Sequence, residues 1–314
     1  MSIPDAALIT GVLGATLRLA TPLIYGTIGE TFSERAGILN LGIEGMMLMG
    51  ASIGFLVGYD TGNLWLGILA AIIIGILLGM IMAFLTVSIG AQQHVAGLGL
   101  TIACSGFSFY IYRVSVEKNI AGGVTPHVTP FSTIPIPYLS QIPIIGEVLF
   151  NQHALAYIGL LLVPISTFIL FRTRFGLALR AVGENPNAAA TSGINVFRMR
   201  YLSLMIAGAL SAVGGAWLSL AQSGMFLPGL TQGRGWVCIA LVVFANWSPF
   251  KVLAGAILFG GIDAVQLSLQ SVGWDIPYQL FLMLPYLLTI TALILVSRRA
   301  RAPAALLSSY KRED

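Results

Sequence analysis

From Leu64 to Ile89 the chain carries no charged side chain, and eight further segments come close to that condition. A helix needs about 20 apolar residues to cross the hydrocarbon of a bilayer. Candidate spans of that kind run near Ala6–Ile28, Ile38–Val57, Leu64–Ile89, Val95–Tyr112, Ala154–Phe171, Tyr201–Leu220, Trp236–Trp247, Val252–Leu269 and Pro277–Val296. The one at Trp236 is short. Irregular backbone is not tolerated against lipid, so these segments predict an all-α, polytopic membrane protein of about nine helices. The balance of residues agrees: 57% are hydrophobic and 9% charged, against about a quarter charged in soluble domains. The whole of 1–314 reads as one transmembrane domain. No cleavable signal peptide is evident, because the first apolar stretch lacks a basic start.

The basic residues set the orientation. Arg172, Arg174, Arg180, Arg198 and Arg200 crowd one connection, residues 172–200. With the tail at 298–314 placed in the cytoplasm, that connection falls there too, as do Arg35 and Lys251. Of 16 basic residues, only Arg113, Lys118 and Arg234 fall outside and Arg18 within a span. Basic loops stay on the cytoplasmic side, so the charge marks topology and not a nucleic-acid footprint. The connection 113–152 is then the long external one, and its five prolines predict a stiff cap without regular helix. The segments Ile38–Ser88 and Trp236–Leu269 echo each other weakly and would cross in opposite senses, as in an inverted repeat.

Several chemistries are excluded. No G-x-x-x-x-G-K-[ST] is present, so the chain does not split ATP by a phosphate-cradling loop. His94, His127 and His153 are scattered, and no zinc or hydrolytic motif occurs. Cys104 and Cys238 both lie in apolar segments and read as small fillers. No cofactor or metal is expected on this chain.

Ionisable groups inside spans cost about 2.5–3.5 kcal/mol each at mid-bilayer and must face the bundle or a wet path. Arg18, Glu44 and Asp263 are in that position. Asn40 and Glu44 stand at i,i+4 and would share a helix face, as would Asp263 and Gln266; each pair reads equally as a lining or as a hydrogen-bonded brace. Arg18 suits an ion pair with Glu30, Glu34 or Glu44. Gln92, Gln93, His94, Gly97, Gly99, Thr101 and Ser105 form a further polar cluster, either a lining or a helix-packing seam. Gly50–Gly54–Gly58 and Gly75–Gly79 are small-residue seams for close packing.

In the basic connection, Asn185 can cap a helix, Pro186 suits its first position, the alanines propagate it and Gly193 ends it. A helix near Pro186–Ser192 is too short to be stable alone, which points to a seat on a partner.

GETFSERAGILNLGIEGMMLMGA (Gly29–Ala51) and RFGLALRAVGENPNAAATSGI (Arg174–Ile194) resemble the membrane permease of ABC importers, in the branch serving ribose-type sugars, branched-chain amino acids and nucleosides. GLTQGRGWVCIALVVFANWSPFKVLAGAILFGGIDAVQ (Gly229–Gln266), with MLPYLLTI (Met283–Ile290), is similar to the smaller of two paired permeases in bacterial purine-nucleoside importers. Ala245–Asn246 departs from the Gly-rich pair often found before Trp247. The resemblance implies a non-catalytic subunit in the bacterial cytoplasmic membrane. Its implied partners are a cytoplasmic ATPase that binds ATP and Mg, a second permease as a heterodimer, and an external binding protein or lipoprotein. It implies a coupling element at Arg180, Gly183, Glu184, Asn185, Pro186, Ala188 and Ala189. Asn40, Glu44, Gln93, Thr101, Ser105, Asn246 and Asp263 are the candidates for the translocation path of a nucleoside or simple sugar. The alternatives are branched-chain amino acids carried by the same mechanism, or an ion-coupled carrier using Glu44 or Asp263.

Overall fold

A computed structural model describes residues 3–120, 126–142, 145–271 and 301–310, with Met283, Leu287, Ile290, Thr291 and Ile294 between them. Most of the expected span Pro277–Val296 and the basic residues Arg298, Arg299, Lys311 and Arg312 lie outside the described residues.

The long helices are α1 (Ile3–Arg35), α2 (Ile43–Thr61), α3 (Leu64–Ala83), α4 (Gln93–Ile120), α6 (Ala154–Arg172), α9 (Val196–Trp217) and α11 (Pro249–Ser271). Shorter ones are α5 (Ile145–Phe150), α7 (Arg174–Glu184), α8 (Pro186–Thr191) and α10 (Arg234–Phe244). Wider π-helical turns extend α3 through Phe84–Ser88 and α9 through Leu218–Ser223. Five of these segments are long and apolar enough to cross a membrane: Leu64–Ser88, Gln93–Val116, Ala154–Arg172, Val196–Ser223 and Pro249–Leu269. The chain is thus a largely helical, multi-pass membrane protein. At 11 residues, α10 is roughly 16 Å long and spans about half of the hydrocarbon.

α9 is the hub and packs along α1, α2 and α3. The glycine seams make this possible. A Cβ on Gly208 would stand 2.1 Å from the Gly75 carbonyl oxygen, and one on Gly79 2.3 Å from that of Leu204. A Cβ on Gly50 would stand 2.2 Å from the Ala212 carbonyl oxygen. Without lipid-expelling force between helices, such backbone contact supplies the dispersion that holds them together. α2 is nearly all buried, enclosed by α3, α4 and α9. Around it, Leu69, Ile73, Ile102, Leu161, Phe168 and Val265 point outward from α3, α4, α6 and α11, as lipid-facing residues should.

Three expectations are corrected. α4 continues to Ile120, beyond the span expected to end at Tyr112. The connection 113–152 is not free of regular helix, since α5 (Ile145–Phe150) lies within it; its extended part forms β1 (Thr133–Pro135) and β2 (Asn151–His153), which pair antiparallel with Ile134 opposite Gln152. Proline suits this short exposed edge because the missing N–H is not needed there. The cap is tied to the end of α9 by Val128 N–H to Gly224 O (2.8 Å) and Phe131 N–H to Leu220 O (3.2 Å). Finally, Arg234 is not in an external loop; it opens α10 inside the bundle, beside buried Gly235.

Candidate functional site

The basic connection folds into two capped helices. Thr173 Oγ1 accepts from Gly176 N–H (3.1 Å) and starts α7, and Asn185 Oδ1 accepts from Ala188 N–H (3.0 Å) and starts α8. Pro186 occupies the first turn. Gly193, at φ +83°, takes the left-handed conformation that ends a helix at little cost to glycine. Asn195 Oδ1 then accepts from Arg198 N–H (2.9 Å) to start α9. Asn187, Ala188 and Thr191 are exposed, whereas Ala189 is buried with Val182 and Val196. Expected coupling residues Arg180, Gly183, Glu184, Asn185, Pro186, Ala188 and Ala189 therefore gather at one end of the bundle.

That end is braced from three directions. A Cβ on Gly183 would stand 2.1 Å from Arg35 O, so α7 lies directly on the end of α1. Arg35 and Arg180 both stack over the Phe171 ring, 5.8 and 5.1 Å from its centre, a cation–π arrangement that offsets their mutual repulsion. Arg35 also donates to Trp247 O (3.2 Å), whose indole donates to Glu34 Oε2 (2.6 Å). The third brace is the tail. Ala305 N–H donates to Gly183 O (2.9 Å), Leu307 N–H to Gly37 O (3.2 Å), and Ala304 N–H to Glu184 Oε2 (3.4 Å). Buried Arg200 holds Ser308 O at 3.1 Å, and Tyr310 lies edge-on to Phe197. Nothing in the tail's sequence signals this role, since its bonds are made almost entirely by backbone.

The translocation candidates do not form one lining. Asn40 precedes α2, which starts at Ile43, so it shares no helix face with Glu44. Its backbone N–H donates to Glu30 Oε1 (2.8 Å) and its Oδ1 accepts from Gly42 N–H (3.1 Å). Gln93 Oε1 accepts from Leu39 N–H (2.8 Å), and Thr101 donates to Leu41 O (3.0 Å). These three side chains hold the non-helical run between α1 and α2, whose backbone groups need partners when buried. Glu44 instead faces α10. Its Oε1 accepts from the Thr231 hydroxyl and Gly233 N–H (2.9 Å), and its Oε2 from Gly235 N–H (2.7 Å). α10 starts on a glycine with no side chain to cap it, so Glu44 caps it from another helix, at the positive end of its dipole. Ser105 is exposed on α4. Asn246 lies at the braced end, at φ +50°, where its Oδ1 accepts from Arg301 N–H (3.0 Å). Asp263 stands on α11 and feels the charge of Arg234. Arg18 pairs with none of Glu30, Glu34 or Glu44, which are engaged as described.

Among the described residues no group of His, Cys, Asp and Glu could hold a metal ion.

Comparison with known proteins agrees with this architecture. The family model described as "Branched-chain amino acid transport system / permease component" matches residues 12–293. The "Putative glucose ABC transporter permease protein TsgC13" of Haloferax volcanii is 42% identical over 96% of this chain and 98% of its own. The guanosine ABC transporter permease protein NupQ of Bacillus subtilis is 37% identical, over 94% of each chain. The nucleoside ABC transporter permease protein NupC of Lactococcus lactis is 34% identical, again over 94% of each. No solved structure matches.

Proposed function

For a chain that belongs to the branched-chain amino acid transport system permease-component family, we propose service as one membrane subunit of an ATP-driven importer of nucleosides or simple sugars. The observation that carries this reading is α8: a six-residue helix, capped, proline-initiated and partly exposed, yet packed on α7 and α9, with α7 in turn braced on α1 and the tail. A helix so short has no stability of its own; held rigid at the surface, it suits a push from a partner. In this proposal Arg180, Gly183, Glu184, Asn185, Pro186, Ala188 and Ala189 form the seat of a cytoplasmic ATPase, which binds the ATP and Mg. A second permease completes the pathway as a heterodimer, and an external binding protein or lipoprotein delivers solute. ATP closure moves α8 as a rigid body and tilts the bundle. The nucleoside or sugar cargo is supported by the names of the relatives.

The proposal includes a cytoplasmic membrane location with the tail at 298–314 inside, nine membrane segments counting Pro277–Val296, and an inverted relation between Ile38–Ser88 and Trp236–Leu269. The external connection 113–152 would face the binding protein. Glu44, Asp263 and the other polar candidates remain open to transient solute contact when the bundle tilts.

Reconstitution tests it. The chain, with its ATPase, second permease and binding protein in proteoliposomes, should take up guanosine or glucose only with ATP. Uptake by this chain alone under an ion gradient would instead make it a secondary carrier.

A further inference from the structure

Arg18 is the unexplained cation of the bundle. Among the described residues it makes no hydrogen bond or ion pair, although an arginine inside a span is costly unless paired or wetted. It lines a cavity of about 340 Å³ together with His153, Trp217, Gln222, Ala15 and Ala221, within the ~300–1,000 Å³ typical of small-molecule sites. The cavity lies away from α8: His153 precedes α6 and Gln222 closes α9, both at the ends remote from the coupling connection.

Among the described lining residues the wall carries one charge, the Arg18 guanidinium, and the Gln222 amide. Trp217 is 1% exposed, and its indole nitrogen, without an acceptor, is closed to a water-sized probe, so the ring shapes the wall without offering it a donor. The His153 ring stands edge-on to it at 5.6 Å, with Nδ1 also unpartnered. Burial first, and then the Arg18 charge, hold His153 below its ordinary range against backbone hydrogen bonds at Phe131 and Ser132. No carboxylate is among the described lining residues. Such a wall repels ammonium groups and suits oxygen acceptors.

We propose that this cavity, bounded by Arg18, His153, Trp217 and Gln222, is a solute subsite on the side away from the ATPase. It takes an uncharged solute rich in hydroxyl and carbonyl oxygens. The inference rests on the importer reading and adds to it where, and by what chemistry, the cargo is held.

Because both native cysteines are buried, an Ala15→Cys variant of the assembled transporter gives a thiol reagent one cavity-facing target. Guanosine or glucose should slow its labelling several-fold, and leucine should not. In the same complex, Gln222→Leu removes the amide, and Arg18→Met keeps the length and loses the charge. Each should raise the half-saturation concentration about tenfold. Labelling indifferent to all three solutes, or kinetics unchanged in both variants, overturns the subsite; protection by leucine alone overturns its chemistry. ATP-driven uptake without protection sinks the subsite and spares the importer. Protection without ATP-driven uptake does the reverse.

Discussion

Replacing Glu44 by glutamine separates the two readings its position invites. As a cap, the carboxylate accepts three hydrogen bonds, from Thr231, Gly233 and Gly235. Glutamine supplies one oxygen, enough for Thr231 and Gly233, but the bonds become neutral. Each then falls from roughly 1.5–3 kcal/mol toward about 1 kcal/mol. Its amide group meets the Gly235 N–H donor to donor, leaving a buried N–H unsatisfied at about 1–3 kcal/mol. Loss of the negative charge at the start of α10 removes up to ~2 kcal/mol more. These contributions overlap, so Glu44→Gln should destabilise by about 3 kcal/mol, a melting shift on the order of 6 °C for a chain of this size. Thermal unfolding in nanodiscs, followed by size-exclusion fluorescence, measures it. A variant that melts with the parent while losing ion-driven uptake would refute the capping argument and make Glu44 a proton site.

Asn185→Ala removes the acceptor for Ala188 N–H and should cost about 1 kcal/mol locally. The expected outcome is normal insertion with ATPase stimulation by the loaded binding protein reduced several-fold, read in proteoliposomes. Gly208→Ala drives a methyl into the Gly75 carbonyl and should cost about 1–3 kcal/mol by forcing α3 and α9 apart. Gly193→Ala, which meets nothing within 4 Å, should cost only about 1 kcal/mol through its positive φ; melting curves of the two variants check that order. For His153, whose folded pKa lies below its unfolded value, the unfolded chain binds more protons as pH falls through about 6.5. Its contribution is thus present above that pH and lost below it; a melting series from pH 7.5 to 5.5 should show a decline that His153→Gln flattens.

Local chemistry was legible and depth was not. Asn185, Pro186 and Gly193 specify α8 by bonds within a few residues, so cap, start and stop can be read in order. The glycine seams announced close packing, though not that α9 would be the partner. Asn40 misled because the i,i+4 rule presumes a helix, and the backbone does not become helical until Ile43. Arg234 misled because left-handed turns at Gly224, Gly229, Gln232 and Gly233 carry the chain from the contact with Val128 to Glu44, and glycine signals a turn without saying where it leads. Asn246 looked like lining because it lies between two apolar runs; its bond to Arg301 is long-range. The cavity wall was hidden for the same reason: Arg18, His153 and Trp217 are far apart in sequence, and Arg18 read there as an ion-pair partner for Glu30, Glu34 or Glu44.

α9 begins five residues beyond the end of α8 and carries Trp217 at its far end, roughly 30 Å away. Carbonyl-to-glycine contacts on two neighbours leave it no room to slide or roll by itself. A single shaft thus joins α8 to the proposed subsite, and a torque applied at the one would arrive at the other as a change in the shape of its wall.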